Sequence, residues 1–376
     1  MTPTLFEFDA TRFDGMGIGG LGECESCQVK WQLNGVYELT MVYPVSGRRY
    51  ADLKCRRIIV AGVGPDEEPQ PFRIYRMRPA LLSRVIVYAR HLAYDLMGCP
   101  LPPFPAGNLR SCMSTATYAA QQQGFPFALS ADFDSGAQCG IAVPRSVWAM
   151  MGGQRGSFLD VYGGEWDFGG LNCTLRQRMG ADLDFMVKYG KNLQTLEQDE
   201  NLANVWTGVR PYWQSADGLT VVTLPEGSIS AGTYNYVRIL VWDASTEFDE
   251  PPTEEQLRER TLQYIHSNRV GEPHVSLDVK FVSLAQTEEY KNRRFPGEIH
   301  KGDSVTVEFP TWFDRKTGKP TEFVRTSARV VEYVWLPVLE RYDTIRIGAK
   351  KANFATVVAQ ATKDLSWVLS KVGGKR

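Results

Sequence analysis

Residues 28–43 read QVKWQLNGVYELTMVY. Polar and apolar side chains alternate, so Val29, Trp31 and Leu33 fall on one face. A period of two belongs to a strand with one side against a core. Asn34-Gly35 breaks the run with two residues that accept positive φ, and VYELTMVYP returns from it. This is a hairpin. CRRIIVAGV (55–63), PFRIYRMRP (71–79) and RVIVYARH (84–91) extend it to an antiparallel meander of small-barrel or sandwich size.

A proline-rich break, CPLPPFPAGN (99–108), is followed by a helix-prone run, SCMSTATYAAQQQG (111–124), with Gly124 as its cap. Residues 125–156 carry no clear period. Strands return in GEWDFGG, NCTLRQRMG, DFMVKYGKN, LANVWTGVRPYW and LTVVTLP. DASTEFDEPP (243–252) is an acidic linker. Thr253 and Gln256 then open a helix with a capping box, and Gly271 closes it. Leu257, Thr261, Tyr264 and Ile265 share one face of that helix. HVSLDVKFVSL, IHKGDSVTVEFP, TSARVVEYVWLP and RYDTIRIG form a third meander.

The final segment places Phe354, Val357, Val358, Ala361, Leu365, Val368 and Leu369 at helical spacing. Such an apolar stripe packs on its own chain or on a partner, so these seven are the candidate partner-binding residues. The expected divisions are 1–98, 99–160, 161–242, 243–275, 276–350 and 351–376.

Length and charge narrow the function. The chain has 376 residues, enough for two or three domains at ~150 residues each. Lys plus Arg number 42 against 43 Asp plus Glu, which leaves no global basic field for nucleic acid or anionic membrane. The N-terminus MTPTLFEFDATRFDG has no apolar core of a signal peptide, and no run approaches ~18 apolar residues. The seven cysteines read as reduced thiols.

Each candidate for chemistry has a plainer structural reading. Glu288 and Glu289 are adjacent, so neither a strand nor a helix aims both carboxylates at one bond. Gly15, Gly17 and Gly20 have dinucleotide-loop spacing, but a strand-like run follows where a helix is required, so they read as a flexible entry loop. Cys24 and Cys27 lack a second pair of zinc ligands. His91, His266, His274 and His300 fall in no catalytic motif, and His91 reads as a packed or capping residue. Arg48-Arg49, Arg56-Arg57 and Arg293-Arg294 read as solvated polar edges. Trp148, Trp213 and Trp312 are candidates for stacking on sugars, with core packing as the alternative. No catalytic residue, metal ligand or cofactor site is assigned.

Ordered blocks over residues 13–348 resemble the phage tail-associated lysin, or prophage endopeptidase tail, family in its baseplate-hub region. DGMGIGGLGECESCQVKWQLNGVYELTMVYPV carries the G-L-G, N-G-x-Y-E-L and Y-P of its opening block. GSFLDVYGGEWDF, PPTEEQLRERTLQYIHSN, VSLDVKFVSLAQTEEYKN and YVWLPVLERYDTIRIG continue the match. The resemblance implies a mainly β chain with two tail-tube-like antiparallel β-barrels, smaller α+β insertions and a C-terminal amphipathic helix. It implies a homotrimeric tail-tip hub of a phage, defective prophage or tailocin, made in the bacterial cytoplasm and located at the virion tail tip. The implied partners are a distal tail ring, the tape-measure protein, and a tail fibre or lytic partner, with DNA crossing the lumen. The peptidase or lysozyme extension of some relatives is expected to be absent, so no enzymatic role is expected. A cell-wall hydrolase and a host-glycan-binding tail module are the alternatives.

Overall fold

The structure is a computed structural model. It describes residues 1–348 except 81–82, 189–192, 202–204, 216–217, 233–234, 246, 249, 268–269, 272–273, 282–298, 314–316 and 318–319. The chain is mainly β, as the resemblance implied. Two compact units are present: 1–197 with 278–376, and 198–277.

In the larger unit the first meander is β1 (Thr4–Phe6), β2 (Gly19–Gly20), β3 (Ser26–Gln32), β4 (Tyr37–Pro44), β5 (Ile58–Ala61), β6 (Gln70–Ala80) and β7 (Arg84–His91). β3 and β4 pair around Asn34, whose φ is 46°. Val29, Trp31, Leu39, Met41, Tyr43, Val85, Val87 and Ala89 are all buried, as strict alternation requires. The spatial order differs from a simple meander. β4 pairs with β7, and β6 then β5 follow outward, because the chain crosses over through residues 45–57 before returning.

The insertion holds β8 (Pro100–Leu101), β9 (Phe104–Gly107), α1 (Leu109–Gln122), β10 (Ala128–Ala131), β11 (Cys139–Ile141), β12 (Arg145–Ser146), α2 (Val147–Met151), α3 (Phe158–Tyr162), β13 (Glu165–Gly169) and β14 (Asn172–Arg176). Asn108 caps α1 by accepting the Ser111 N–H at 3.0 Å. The stretch 125–156 is more regular than its sequence suggests. β10 pairs parallel with β14, β11 with β9 and β12 with β8.

β15 (Asp182–Lys188) and β16 (Leu193–Asn201) follow. The smaller unit contains β17 (Gly208–Gln214), β18 (Val221–Thr223), β19 (Ile229–Ser230), β20 (Ile239–Asp243) and α4 (Glu254–Ser267). β18 and β19 lie along one edge of β17, and β20 runs parallel along the other. Leu224, Ala244 and Leu257 form its core. The capping box is made: the Thr253 N–H donates to Gln256 Oε1 at 2.8 Å, and the Gln256 N–H to Thr253 Oγ1 at 3.2 Å. Tyr264 of α4 stacks on Trp242, with ring centroids 4.3 Å apart.

β21 (His274–Phe281), β22 (Ser304–Phe313), β23 (Pro320–Leu336) and β24 (Arg341–Gly348) join the first meander in one 13-stranded sheet. β23, 17 residues long, is its spine. β22 pairs with its first half and β3 with Glu332–Trp335, while β24 runs along the opposite edge. β22 and β3 therefore lie end to end beside one strand.

Arg329 marks the point where those two partners part. Its guanidinium donates to Glu165 Oε1 at 2.7 Å, Glu165 Oε2 at 3.0 Å, the Met179 carbonyl at 2.9 Å and the Gly302 carbonyl at 3.0 Å. Asp303, 3% exposed, accepts the Ala181 N–H at 2.7 Å and the His300 N–H at 2.7 Å. The backbones touch here. Gly180 (φ +73°) and Gly302 (φ +75°) face each other so closely that a Cβ on Gly180 would lie 2.2 Å from the Gly302 carbonyl carbon.

Arg329→Met strands the Glu165 carboxylate and should lower the unfolding free energy by about 3 kcal/mol in a urea titration. Arg329→Met with Glu165→Leu should recover part of that loss. An unchanged midpoint in the single variant would refute the role of this junction.

Candidate assembly surface

Because β3, β4 and β7 bury alternate residues, the other residues form a continuous outward face. Register sets Lys30 opposite Glu38 and Glu38 opposite Arg90. Lys30 Nζ lies 3.0 Å from Glu332, which also pairs with Arg346 at 3.4 Å. Arg90 Nε lies 2.9 Å from Glu38, and the Arg90 guanidinium sits 4.3 Å over the Tyr75 ring. Arg73 pairs with Asp95 at 2.8 Å. Bases and acids thus alternate across β24, β23, β3, β4 and β7, and a second base, Arg73 of β6, lies opposite Arg90. Each cross-strand pair contributes only ~0.2–1 kcal/mol. Their joint effect is a row of paired opposite charges across these strands.

Behind this face the buried His91 and Gln70 are committed to structure. His91 is fully buried, stacked on Tyr37 with centroids 4.8 Å apart. Its Nδ1 accepts the Ala93 N–H at 3.2 Å and so caps the 3₁₀ turn Leu92–Gly98. That fixes the proton on Nε2, which donates to Gln70 Oε1 at 3.2 Å. Gln70 Oε1 also accepts the Gly170 N–H at 2.7 Å, tying β6 and β7 to the β13–β14 turn. Burial, with the nearby Lys301 charge, lowers the His91 pKa to about 3.

The other sequence candidates are distributed rather than gathered. Gly15–Gly20 is an ordered entry to the sheet, not a loose loop: the Ile18 N–H donates to the Leu5 carbonyl at 2.7 Å, and Gly19–Gly20 pairs with Thr4–Leu5. Gly17 has φ +51°, and a Cβ there would meet the Leu5 oxygen at 2.4 Å. Burial raises the thiols of Cys24 and Cys27. His300 lies 3.7 Å from Asp303, and His266 is exposed at the end of α4. Arg57 is held by Glu7 at 3.0 Å and Arg49 by Asp52 at 3.2 Å. Among the described residues no three of His, Cys, Asp and Glu gather as a metal site. Among the same residues no helix is long and apolar enough to cross a membrane.

Trp148 and Trp213 are 1% and 4% exposed, so neither offers a ring to a sugar. The side chains of Trp312 and His274 lie outside the described residues, as do Glu288, Glu289, Arg293, Arg294 and the stripe from Phe354 to Leu369. The charged row was missed in the sequence because its signal is register, and the β4–β7 pairing that builds it skips two intervening strands.

Compared by sequence, the chain matches no family model and no curated protein. Compared by structure, it is similar to the prophage tail protein gp18 of Listeria monocytogenes, with TM-score 0.57 and 14% identity, over 97% of this chain and 100% of that one. A tail protein of Neisseria meningitidis aligns with TM-score 0.58 and 11% identity, over 94% and 98% of the two chains. The 43 kDa tail protein of prophage MuSo2 from Shewanella oneidensis aligns with TM-score 0.54 and 12% identity, over 94% and 99%. The fold is that of the prophage tail proteins. That likeness extends through almost the whole chain.

Unfolding the chain frees His91 to titrate near 6.5, whereas the folded protein holds it neutral down to about pH 3. Its contribution to stability is complete above pH 6.5 and is lost as pH falls from there toward 3, by up to about 1.4 kcal/mol per pH unit. Urea midpoints at pH 7.5 and pH 5 should show the loss, and His91→Gln should flatten it. An equal slope in both proteins would assign the effect elsewhere.

Proposed function

We propose that the chain is a structural subunit of the tail tip or baseplate hub of a phage or phage-like particle. Three copies close a ring that continues the tail-tube channel and adapts a sixfold tube to a threefold tip. The observation that carries this reading is the likeness to tail proteins over 94–97% of the chain at matched length. A large sheet with strand edges to pair or cover suits ring closure.

In this reading a distal tail ring sits above the hub, and a tail fibre or lytic partner attaches below. The tape-measure protein and then DNA cross the lumen without sequence-specific contacts. The stripe Phe354, Val357, Val358, Ala361, Leu365, Val368 and Leu369 is the proposed contact for the partner below. The subunit is made in the host cytoplasm and functions at the virion tail tip. No residue is given a catalytic role.

Light scattering on the purified protein should return three times the 42.3 kDa mass of one chain. A monomer that persists at micromolar concentration would overturn the ring. Clearing of peptidoglycan by the isolated chain would overturn the non-enzymatic reading.

A further inference from the structure

β6 carries arginines at 73, 76 and 78, and its pairing with β7 holds one extra residue between Ile74 and Arg76. This bulge turns both Tyr75 and Arg76 to solvent although they are neighbours in the chain. Tyr75 is 38% exposed, Arg76 and Arg78 are exposed, and the Arg76 guanidinium lies 5.5 Å over the Tyr88 ring. Arg56, also exposed, lies against the same strand, where its N–H donates to the Ile74 carbonyl at 2.7 Å. Acids on the neighbouring strands and turns have arginines of their own: Asp95 pairs with Arg73, Glu38 with Arg90 and Glu25 with Arg84. Bases are left in surplus. Residues 48–90 hold ten Lys and Arg against four Asp and Glu.

The smaller unit has the opposite sign. Residues 198–277 hold twelve Asp and Glu against five Lys and Arg. Both arginines of α4 are taken within that unit, Arg258 by Glu226 at 2.7 Å and Arg260 by Glu247 at 2.7 Å. Glu254, Glu255 and Glu259 are exposed. The first two suit a helix N-terminus, but Glu259 lies four residues after Glu255, a spacing at which like charges repel. Leu257 and Thr261 are buried and Tyr264 lies on Trp242, which fixes the inner side of the helix. Glu255, Glu259, Leu262 and His266 therefore share the outer side, where Leu262 is 46% exposed.

We propose that the outer stripe of α4 in one copy docks on the Arg56, Tyr75, Arg76 and Arg78 face of β6 in a second copy. The two surfaces are opposite in surplus charge, and each sets one large exposed side chain, Leu262 or Tyr75, among its charges. Glu255 and Glu259 meet the arginines, and Leu262 meets the Tyr75 ring. Every copy presents both surfaces, so the contact is head to tail, the kind that closes a ring when its rotation permits. A free polyanion would engage the β6 face alone and leave the acidic stripe unmatched. The inference rests on the ring proposed above and names the surfaces that close it.

The test uses the full chain, with assembly read by sedimentation velocity and folding by circular dichroism. The wild type is expected as a trimer that weakens as salt is raised. Glu255→Arg with Glu259→Arg, and separately Arg76→Glu with Arg78→Glu, should each raise the concentration of half-assembly roughly tenfold or more. All four changes in one chain should bring it back toward the wild-type value. If a reversal fails to fold, Glu255→Gln with Glu259→Gln or Arg76→Gln with Arg78→Gln takes its place and should weaken assembly in the same direction. Trimers indifferent to these changes would overturn the docking and leave the ring standing, whereas a wild-type monomer would overturn both. Weakening by each pair without recovery in the fourfold variant would show that the two surfaces do not meet, and overturn it too. So would binding of a single-stranded oligonucleotide that Arg76→Glu with Arg78→Glu abolishes while the trimer persists, which would make the β6 face a polyanion site.

Discussion

One guanidinium holds the larger unit together. Arg329 belongs to β23, yet its donors end on β13, on the turn after β14 and on the turn before β22. Drawing an arginine and a glutamate partly out of water carries a desolvation cost, which their mutual bonds and the two carbonyls offset. Glu165 shows the same economy: while it pairs with Arg329, its Oε2 also accepts the Met179 N–H at 2.6 Å. The close approach of Gly180 and Gly302 follows from this, because the carbonyls reach a single side chain only if the two turns touch.

β23 carries the consequence through the sheet. Its first half is partnered by a strand nearby in sequence, and its second half by β3, near the other end of the chain. Tyr333 stacks on Trp31 across that second pairing, with centroids 5.2 Å apart. β3, already paired with β4, thus acquires its second neighbour only when β23 is in place. Contacts of such long separation favour slow, late sheet closure.

The sequence announced what is local. Alternation around Asn34-Gly35 was sufficient to place β3 and β4, and Thr253 with Gln256 located the start of α4. The parallel pairing of Ala128 with Asn172 left no local period, because β10 is four residues long and its partner lies beyond two helices. Lys30, Glu38 and Arg90 could each be read as exposed strand residues. Their becoming neighbours depends on β7 lying beside β4, which no spacing in the chain encodes. Gly15–Gly20 misled for a related reason: its glycines answer to the Leu5 carbonyl, a partner that a reading along the chain does not reveal.

The smaller unit has a private core in Leu224, Ala244 and Leu257, and a helix that starts on its own cap. The chain enters it through β16 and leaves through β21, and the Arg329 junction owes nothing to the residues between. Lineages could therefore enlarge, trim or exchange this module while the host sheet stayed under unchanged selection. Variation in length among such proteins is expected to concentrate there.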